Sequence, residues 1–156
     1  MIINIGNPPD DTLAIGMQRY ANNCKIEIGD NIIICGARLF LQDSDTSIKI
    51  GHDCMISWGI DIWCTDVHTV TDLEGNVINF SKSIDIGNHV WIGRDVKIGK
   101  NTKISNDSII GWGSIVTRKF DEPNVVIAGN PAQIVKRSVN WNFRDIHNYQ
   151  LYKASL

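Results

Sequence analysis

The chain has 156 residues, of which 43% are hydrophobic and 21% are charged, and its formal net charge is −2. This length predicts one domain, residues 1–156, and the slight negative charge argues against a nucleic acid or an anionic membrane as partner. No apolar run approaches membrane length, and the segment that begins at Met1 lacks the basic region of a signal peptide, so we expect a soluble, cytoplasmic protein.

Residues 1–23 show no regular spacing of apolar side chains. They contain the turn signal Asn-Pro-Pro-Asp at residues 7–10. We expect this segment to be irregular and to cap the open end of the structure that follows.

From residue 24 to residue 122, apolar side chains recur every six residues. The members are Ile28, Ile34 and Phe40, then Ile50, Ile56 and Ile62, then Ile86, Ile92, Ile98, Ile104, Ile110 and Val116. A period of six fits neither a helix nor a flat strand, and it predicts a chain that turns a corner every six residues. Three steps close one triangular coil, so we predict an all-β fold, a parallel β-helix of about five coils. Extra residues between Ile28 and Ile50 predict a bulge near residues 42–45.

Two further positions of the six-residue unit support the same register. The fourth should adopt left-handed backbone angles, which Gly, Asn and Asp tolerate. Its members are Asn31, Asp53, Gly59, Asp95, Asn101, Asp107 and Gly113. The fifth should point inward, and its members are small or aliphatic: Cys54, Val90, Val96, Thr102, Ser108 and Ser114. The alternative is a twisted antiparallel sheet, whose hairpins would not keep a strict spacing of six.

The repeat lapses between Ile62 and Ile86, although the gap of 24 residues keeps the register. A loop therefore leaves the coil at about residues 64–83. This loop contains His68, a histidine beside acidic neighbours. Imidazole groups titrate near neutral pH and can accept a proton from an attacking hydroxyl, so His68 is a candidate general base. The alternative is a surface histidine with no role.

The chain after residue 122 differs from the repeat. Residues 123–136 predict a short extended return, and the tail from residue 137 to residue 156 has a weak helical spacing of apolar side chains. We expect the tail to fold over the last coil or over a neighbouring chain. Four cysteines, Cys24, Cys35, Cys54 and Cys64, show no paired spacing and are interpreted as buried reduced thiols.

Three motifs resemble one known family. They are Ile-Gly-Asn-His-Val-Trp-Ile-Gly at residues 86–93, Ile-Gly-Trp-Gly-Ser-Ile-Val-Thr-Arg at residues 110–118 and Ala-Gly-Asn-Pro-Ala at residues 128–132. Over residues 24–137 the chain resembles the hexapeptide-repeat acyltransferases, and most of all their branch of galactoside, maltose and xenobiotic acetyltransferases and O-acetyltransferases of bacterial surface sugars. The resemblance implies a left-handed β-helix, acetyl-CoA as acyl donor, and homotrimers with sites between subunits.

The resemblance also implies roles for residues near the loop. In similar enzymes a histidine in an Asp-x-His sequence is the base, and here the sequence is Asp66-Val67-His68. A tryptophan of the Val-Trp-Ile-Gly motif lines the site in such enzymes, so the indole N–H of Trp91 is a candidate oxyanion donor. The alternative is a packing tryptophan at a subunit interface. Asp66 and Asp45 are candidate sugar-binding residues, and for Asp45 the alternative is a solvated loop acid.

Similar enzymes hold their acyl donor in a groove along the last coils. This implies that the donor contacts Gly93, Arg94, Gly111, Trp112, Thr117, Arg118 and Lys136. Arg94 stands where such families often have Ser, and Trp112 stands where they often have Ala. Contacts between the donor and the backbone would survive both changes. The Trp112 side chain would narrow the groove or stack on the donor. For Arg118 and Lys136 the alternative is a solvated surface charge.

The expected function is acetyl-CoA-dependent O-acetylation of a sugar hydroxyl, of a bacterial surface polysaccharide or its precursor. Transfer is expected to be direct, without a covalent intermediate on Cys64. Two alternatives remain: N-acetylation of an amino sugar or nucleotide sugar, and a non-catalytic β-helix that binds or scaffolds. A γ-class carbonic anhydrase shares this coil but needs two histidines five residues apart, which this sequence lacks, so no metal is expected.

Overall fold

The computed structural model describes residues 2–5, 12–17 and 21–156. Its elements are β1 (Ile2–Ile5), β2 (Thr12–Met17), β3 (Lys25–Ile28), β4 (Ile33–Ile34), β5 (Gly36–Leu41), β6 (Ser47–Ile50), β7 (Met55–Ile56), β8 (Ile60–Trp63), β9 (Ile84–Ile86), β10 (Trp91–Ile92), β11 (Lys97–Ile98), β12 (Lys103–Ile104), β13 (Ile109–Ile110), β14 (Ile115–Val116), β15 (Lys119–Phe120), β16 (Val125–Gly129), β17 (Ala132–Arg137) and α1 (Ile146–Ala154).

The strands form three sheets, which are the three sides of a triangular coil. Sheet 1 has the order β1-β3-β6-β9-β12-β15, sheet 2 the order β17-β16-β13-β10-β7-β4, and sheet 3 the order β14-β11-β8-β5-β2. From β3 to β14 successive strands enter sheets 1, 2 and 3 in turn, and the described strand pairs are parallel except for the hairpin of β16 and β17. The predicted parallel β-helix is confirmed, with four complete coils within the described residues and partial coils at both ends.

The predicted ladder forms the core of the coil. Its six unbroken members, from Ile86 to Val116, are at most 2% exposed, and they stack in register, as in the pairing of Ile98 with Ile62 and Val116. Burial of each such side chain contributes on the order of 1.5–3 kcal/mol before losses of conformational entropy. The six predicted inward members of the fifth position are also buried. The core is therefore a stack of aliphatic layers with small polar residues between them.

The corners follow the predicted chemistry. All seven residues assigned to the fourth position have positive φ, between 57° and 72°, and His89 joins them with a φ of 52°. Backbone hydrogen bonds then connect each corner to the next coil, as from Gly51 N to Ile86 O at 2.9 Å. The polypeptide can turn every six residues because these positions accept the left-handed conformation.

The predicted ladder is wrong at Phe40. Leu39 and Leu41 are buried in its place, Leu39 pairs with Ile62, and the Phe40 ring lies outside against Trp63 at 5.1 Å between centroids. The step from Ile34 to Leu39 is one residue shorter than six. The turn at residues 42–46, where a bulge was predicted, takes up the remaining length before β6.

The two ends of the chain depart from the expectation in different ways. The first 23 residues were expected to be irregular, yet β1 and β2 add parallel strands to β3 and β5, so the sheets begin earlier than residue 24. Leu13 and Ile15 of β2 pack against the core. The turn predicted at residues 7–10 lies outside the described residues. At the other end, the return forms the β16–β17 hairpin and the tail ends in α1, which has no buried residue.

None of the helices in the described part of the chain has the length and hydropathy required to cross a membrane.

Candidate functional site

The loop at residues 64–83 leaves the coil at the corner between sheet 3 and sheet 1, because it joins β8 to β9. Its base is closed by a hydrogen bond from Lys82 N to Cys64 O at 3.0 Å. Its outer part is a small hairpin in which Thr71 pairs with Val77 and the Asp72 carboxylate accepts hydrogen bonds across the turn. The coils on either side still pair directly, so the loop projects without disturbing the stack.

His68 is exposed at the base of this loop and lines a groove of about 380 Å³. Thr65, Phe80 and Ser81 of the loop line the same groove, as does Asp43 from the turn between β5 and β6. Ser81 Oγ donates a hydrogen bond of 2.6 Å to Asp43 Oδ2. The groove therefore places the imidazole beside hydroxyl and carboxylate groups of the kind that bind sugar hydroxyls.

The backbone beside His68 is held in a costly conformation. Val67 has a φ of 69°, which for a β-branched residue costs on the order of 1–3 kcal/mol. Side chains on both sides stabilise it: Val67 N donates to Thr65 Oγ1 at 2.9 Å, and Gln42 Nε2 donates to Val67 O at 2.8 Å. These bonds fix the direction in which the chain presents His68.

Asp66 is engaged by the protein itself. Its Oδ2 accepts hydrogen bonds from Lys100 Nζ and, at 3.0 Å, from Asn79 Nδ2. Asn79 Nδ2 also donates to His68 O at 2.8 Å, and Lys100 Nζ donates to Asn79 O at 2.7 Å. The hydrogen bond from Lys100 is the main reason that the pKa of Asp66 is lowered from its ordinary value. Asp66 thus anchors the loop to the next coil.

Asp45, the second candidate for sugar binding, lies elsewhere. It occupies a corner with a φ of 60°, and its Oδ1 accepts a hydrogen bond of 2.7 Å from Asn23 Nδ2. It is not among the residues that line the groove of His68, whereas Asp43 is. Asp66 does not line this groove either; it neighbours His68 through the backbone, where His68 N donates a hydrogen bond of 2.7 Å to Asp66 O.

Trp91 lies on the outer face of β10, in the middle of sheet 2, and is 36% exposed. Sheet 2 is the side opposite the corner from which the His68 loop leaves. The tail packs over this tryptophan, with Trp141 at 6.1 Å between ring centroids. One chain therefore does not bring Trp91 and His68 together.

Four of the predicted donor-binding residues meet at the corner between sheets 2 and 3. Gly93 and Gly111 follow β10 and β13, where a side chain would collide: a Cβ on Gly93 would lie 2.8 Å from Ile110 O. Trp112 is 72% exposed, and its Nε1 donates a hydrogen bond of 3.3 Å to Asp95 Oδ2. Arg94 Nε lies 3.6 Å from the same oxygen. The two glycines serve the stacking of the coils, since Gly93 N donates to Ile110 O and Gly111 N to Ile127 O, and the corner presents one exposed indole ring.

The other three donor candidates are not at this corner. Thr117 and Arg118 follow β14 on the side of sheet 1, where the Arg118 guanidinium hydrogen-bonds Gln133 Oε1 and lies 5.1 Å from the Phe120 ring centroid. Lys136 is exposed on β17, opposite Val126. The seven candidates therefore fall into three separate groups within one chain.

The cysteines behave as structural thiols. Cys24, Cys54 and Cys64 are buried and Cys35 is partly buried. Burial raises the pKa of Cys54 to about 11 and that of Cys64 to about 12. Thiols with such pKa values carry almost no thiolate at neutral pH and are poor nucleophiles.

The remaining histidines of the coil are corner residues. His52 Nδ1 accepts a hydrogen bond of 2.9 Å from Asp30 N, and His89 Nδ1 lies 2.9 Å from Asp107 Oδ1. His147 lies in α1. The described residues contain no cluster of three His, Cys, Asp or Glu side chains that could hold a metal ion.

Residues that the sequence did not single out complete the site. Asn79, Lys100 and Gln42 hold the loop, and Asp43 lines the groove. Lys100 immediately precedes the predicted corner residue Asn101, one coil beyond the loop. The six-residue register could have placed Lys100 one coil from the loop. Its contacts with Asp66 and Asn79 could not be predicted, because they depend on how the loop folds.

A triangular parallel β-helix with a histidine-bearing loop at one corner is the architecture of hexapeptide-repeat acyltransferases. No protein-family model matches the sequence. The chain is 40% identical over 119 residues to the polysialic acid O-acetyltransferase of Escherichia coli O1:K1, covering 75% of this chain and 38% of that protein. The structure of the polysialic acid O-acetyltransferase OatWY is similar with a TM-score of 0.78 and 33% identity, over 99% of this chain and 82% of that one.

A galactoside acetyltransferase solved in complex with coenzyme A gives a TM-score of 0.66 with 28% identity, over 91% of this chain and 70% of that one. The chain spans 38% to 60% of the lengths of the curated relatives that it matches. These similarities confirm the predicted resemblance. The chain belongs to the hexapeptide-repeat acetyltransferase family, and its coil is the left-handed β-helix of that family.

We predict that Lys100→Met loosens the loop. The ion pair with Asp66 is partly exposed, so the loss at neutral pH should be about 0.5–1 kcal/mol of unfolding free energy. Because the folded-state pKa of Asp66 is lowered, this stabilisation is present above the ordinary pKa of about 3.9 and disappears as the pH falls through the lowered value. Urea unfolding across pH measures the difference, and hydrogen exchange should increase at residues 64–83.

Lys103→Met is the matched control for this substitution. Lys103 forms an ion pair with Asp121 on sheet 1, with 2.7 Å between Nζ and Oδ1, so its charge is engaged outside the loop. Because both of its side chains are more exposed, Lys103→Met should cost less stability than Lys100→Met and should not speed exchange at residues 64–83. A Lys100→Met effect that is the same at acid and neutral pH would contradict the role of Asp66.

Proposed function

We propose that this protein transfers an acetyl group from acetyl-CoA to a sugar hydroxyl, of a bacterial surface polysaccharide or of its precursor. The observation that carries the proposal is the exposed His68, fixed beside a polar groove where the family β-helix is interrupted. Two of the similar proteins are polysialic acid O-acetyltransferases, which supports an O-linked sugar acceptor. A third is a galactoside acetyltransferase in complex with coenzyme A, which supports the donor.

His68 acts as the general base in this proposal. Its imidazole accepts the proton of the sugar hydroxyl while the hydroxyl oxygen attacks the carbonyl carbon of the thioester. The tetrahedral intermediate then collapses, the C–S bond breaks, and the imidazolium returns the proton to the departing thiolate. The products are the acetyl ester and free coenzyme A. The strained Val67 and the Asp66–Lys100–Asn79 contacts support this role, because they hold the base in place before substrate binds.

Trp91 serves this reaction only if a second subunit takes part. The outer face of sheet 2 carries an apolar row in cross-strand register, formed by Ile33, Met55, Trp91, Ile109 and Val126. The outer faces of sheets 1 and 3 carry charged side chains instead, as in the Lys49–Asp85–Lys103 row and the Arg38–Asp61–Lys97 network. An apolar side of this kind supports packing against another subunit.

The loop supplies the matching surface. Leu73, Ile78 and Phe80 are exposed on its hairpin, close to His68 in the chain. We infer a homotrimer in which the loop of one subunit lies against sheet 2 of the next, so that His68 meets the partner subunit's Trp91. The indole N–H then donates to the oxyanion of the intermediate.

The donor lies at the corner of sheets 2 and 3 in this arrangement. Gly93 and Gly111 keep this corner free of side chains beside the pantetheine arm, and the exposed Trp112 ring offers a face for stacking. Arg94, Thr117, Arg118 and Lys136 remain candidates for contact with the donor and its phosphates. Asp43, which lines the groove, is a candidate for contact with the acceptor, and Asp66, which lies beside His68 but outside the groove lining, remains a second candidate.

The function is tested by incubating the protein with acetyl-CoA and a panel of sugar acceptors, polysialic acid and galactosides included. We expect free coenzyme A to appear together with an acetylated sugar whose acetyl group is lost in mild alkali, because the product is an ester. An alkali-stable amide would favour N-acetylation. If millimolar acetyl-CoA neither reacts nor raises the melting temperature, the protein is a binding or scaffold β-helix instead.

We predict that His68→Ala lowers kcat by about 10²–10⁴-fold, the usual contribution of a general base. His147→Ala, a histidine of the exposed α1, is the matched control and should keep full activity. Cys64→Ala should keep most activity, because that thiol is buried and protonated. Initial rates at saturating acetyl-CoA measure these effects. A fully active His68→Ala protein would remove this mechanism.

We predict that two inactive variants complement each other. In a trimer with shared sites, random co-assembly of His68→Ala and Trp91→Phe chains restores both groups at about a quarter of the sites. Each variant alone should retain little activity, with a loss of about 10²–10³-fold expected for the oxyanion donor. Activity of refolded mixtures and light scattering of the product check this. Mixtures no more active than their components would show that sites are not shared.

A further inference from the structure

The C-terminal tail makes one buried contact, and it is with the side of the coil that carries Trp91. From residue 138 to residue 156 the side chains are exposed or partly exposed, with the exception of Trp141, which is 8% exposed. The helix α1 that follows has no buried residue. Packing of the tail as a whole therefore does not explain why this one indole is covered.

Three contacts of Trp141 and one of the chain just before it fix the position of this residue. Its Nε1 donates a hydrogen bond of 2.8 Å to His89 O, and its ring stacks on the His89 imidazole at 4.5 Å between centroids, with 11° between the planes. Phe143 meets the ring edge-on at 4.7 Å. Upstream, Val139 N donates to Asn124 O at 3.0 Å and ties the tail to the corner of the last coil.

His89 is itself immobilised. It occupies a corner with a φ of 52°, its N donates to His52 O at 2.8 Å, and its Nδ1 lies 2.9 Å from Asp107 Oδ1. The imidazole is thus held by a carboxylate at its edge and by an indole on its face. Trp141 therefore rests on a rigid part of the coil and not on a mobile side chain.

Trp91 depends on this arrangement for its packing. It projects from the flat outer face of sheet 2, and within the part of the chain that the structure describes the aromatic ring in contact with it is Trp141, at 6.1 Å and 42°. An indole on an open strand face can adopt several rotamers, and the Trp141 ring packed on one side reduces their number. A hydrogen-bond donor to an oxyanion is effective only when it is oriented before the reaction.

We propose that Trp141 is a positioning residue, which holds the Trp91 indole in the orientation that stabilises the oxyanion. This inference rests on the proposed function and assigns the tail a part in catalysis. The chain of contact runs from Asp107 through His89 and Trp141 to Trp91. Trp141 acts on the reaction through Trp91 and does not itself need to touch substrate.

The kinetic test compares Trp141→Ala, Trp141→Phe and Tyr152→Ala. A misplacement of the donor should lower kcat of Trp141→Ala by about ten- to a hundred-fold, with KM for acetyl-CoA changed less than about twofold. Trp141→Phe keeps a ring against Trp91 and should recover part of kcat. Tyr152→Ala removes an aromatic side chain of the same tail away from Trp91 and should match the wild type. Equal losses in Trp141→Ala and Tyr152→Ala would overturn the proposal.

A double-mutant cycle with Trp91→Phe separates positioning from general damage. If Trp141 acts through the Trp91 N–H, Trp141→Ala should lower kcat by less than about twofold in the Trp91→Phe background. A loss as large as in the wild-type background would show that Trp141 acts by another route. Wild-type protein without acetyltransferase activity would instead refute the proposed function, which the cycle does not test.

Near-ultraviolet circular dichroism checks the contact without activity. Two indoles at this distance should give a coupled signal that disappears in both Trp91→Phe and Trp141→Phe and persists in Tyr152→Ala. Absence of this signal from the wild type would refute the contact even in an active enzyme. Trp141→Phe retains an aromatic ring, so this readout remains available if Trp141→Ala does not fold.

Discussion

The structure depends on hydrogen bonding between successive coils. Each strand inside a sheet pairs with the strand one coil above and the strand one coil below, so the path of one coil fixes the path of the next. Every corner must then turn within a few residues, which requires left-handed backbone at positions such as Asp53 and Asp95. A coil cannot absorb extra residues along its sides. Insertions therefore leave at corners, and the loop that carries His68 does so while β6 and β9 still pair beneath it.

The same constraint separates the chemical groups. Because each side of the coil is a continuous sheet, a residue on sheet 2 and a loop at the opposite corner stay apart whatever their distance in sequence. His68 and Trp91 are 23 residues apart, yet they face different directions. In the proposed trimer, the apolar row on sheet 2 and the exposed hairpin of the loop are the two surfaces that meet. A rigid prism can combine groups from two of its sides only by placing copies side by side.

The sequence predicted those features of the fold that depend on a few neighbouring residues. The identity of a corner residue and the inward direction of a ladder residue depend on a few neighbouring positions, so both were predicted at nearly every step. Phe40 was misassigned because one side of the coil is a residue shorter, which no local rule reveals. The contacts of Asp66 with Asn79 and Lys100 were not predictable either, since they join residues that only the folded loop brings together. The loop could be located from the sequence, but its interior could not.

The rigid coil also holds the two segments attached to it, the loop and the C-terminal tail. The loop is irregular, yet Gln42 and Lys100, both next to strands of the coil, hold it from two sides. The tail is mostly exposed, yet Trp141 ties it to a corner of the coil. In both cases a few hydrogen bonds to the stack fix a segment that has little core of its own. Such fixation supports the roles proposed for His68 and Trp91, because a base or donor that must be ordered during the reaction loses much of its effect.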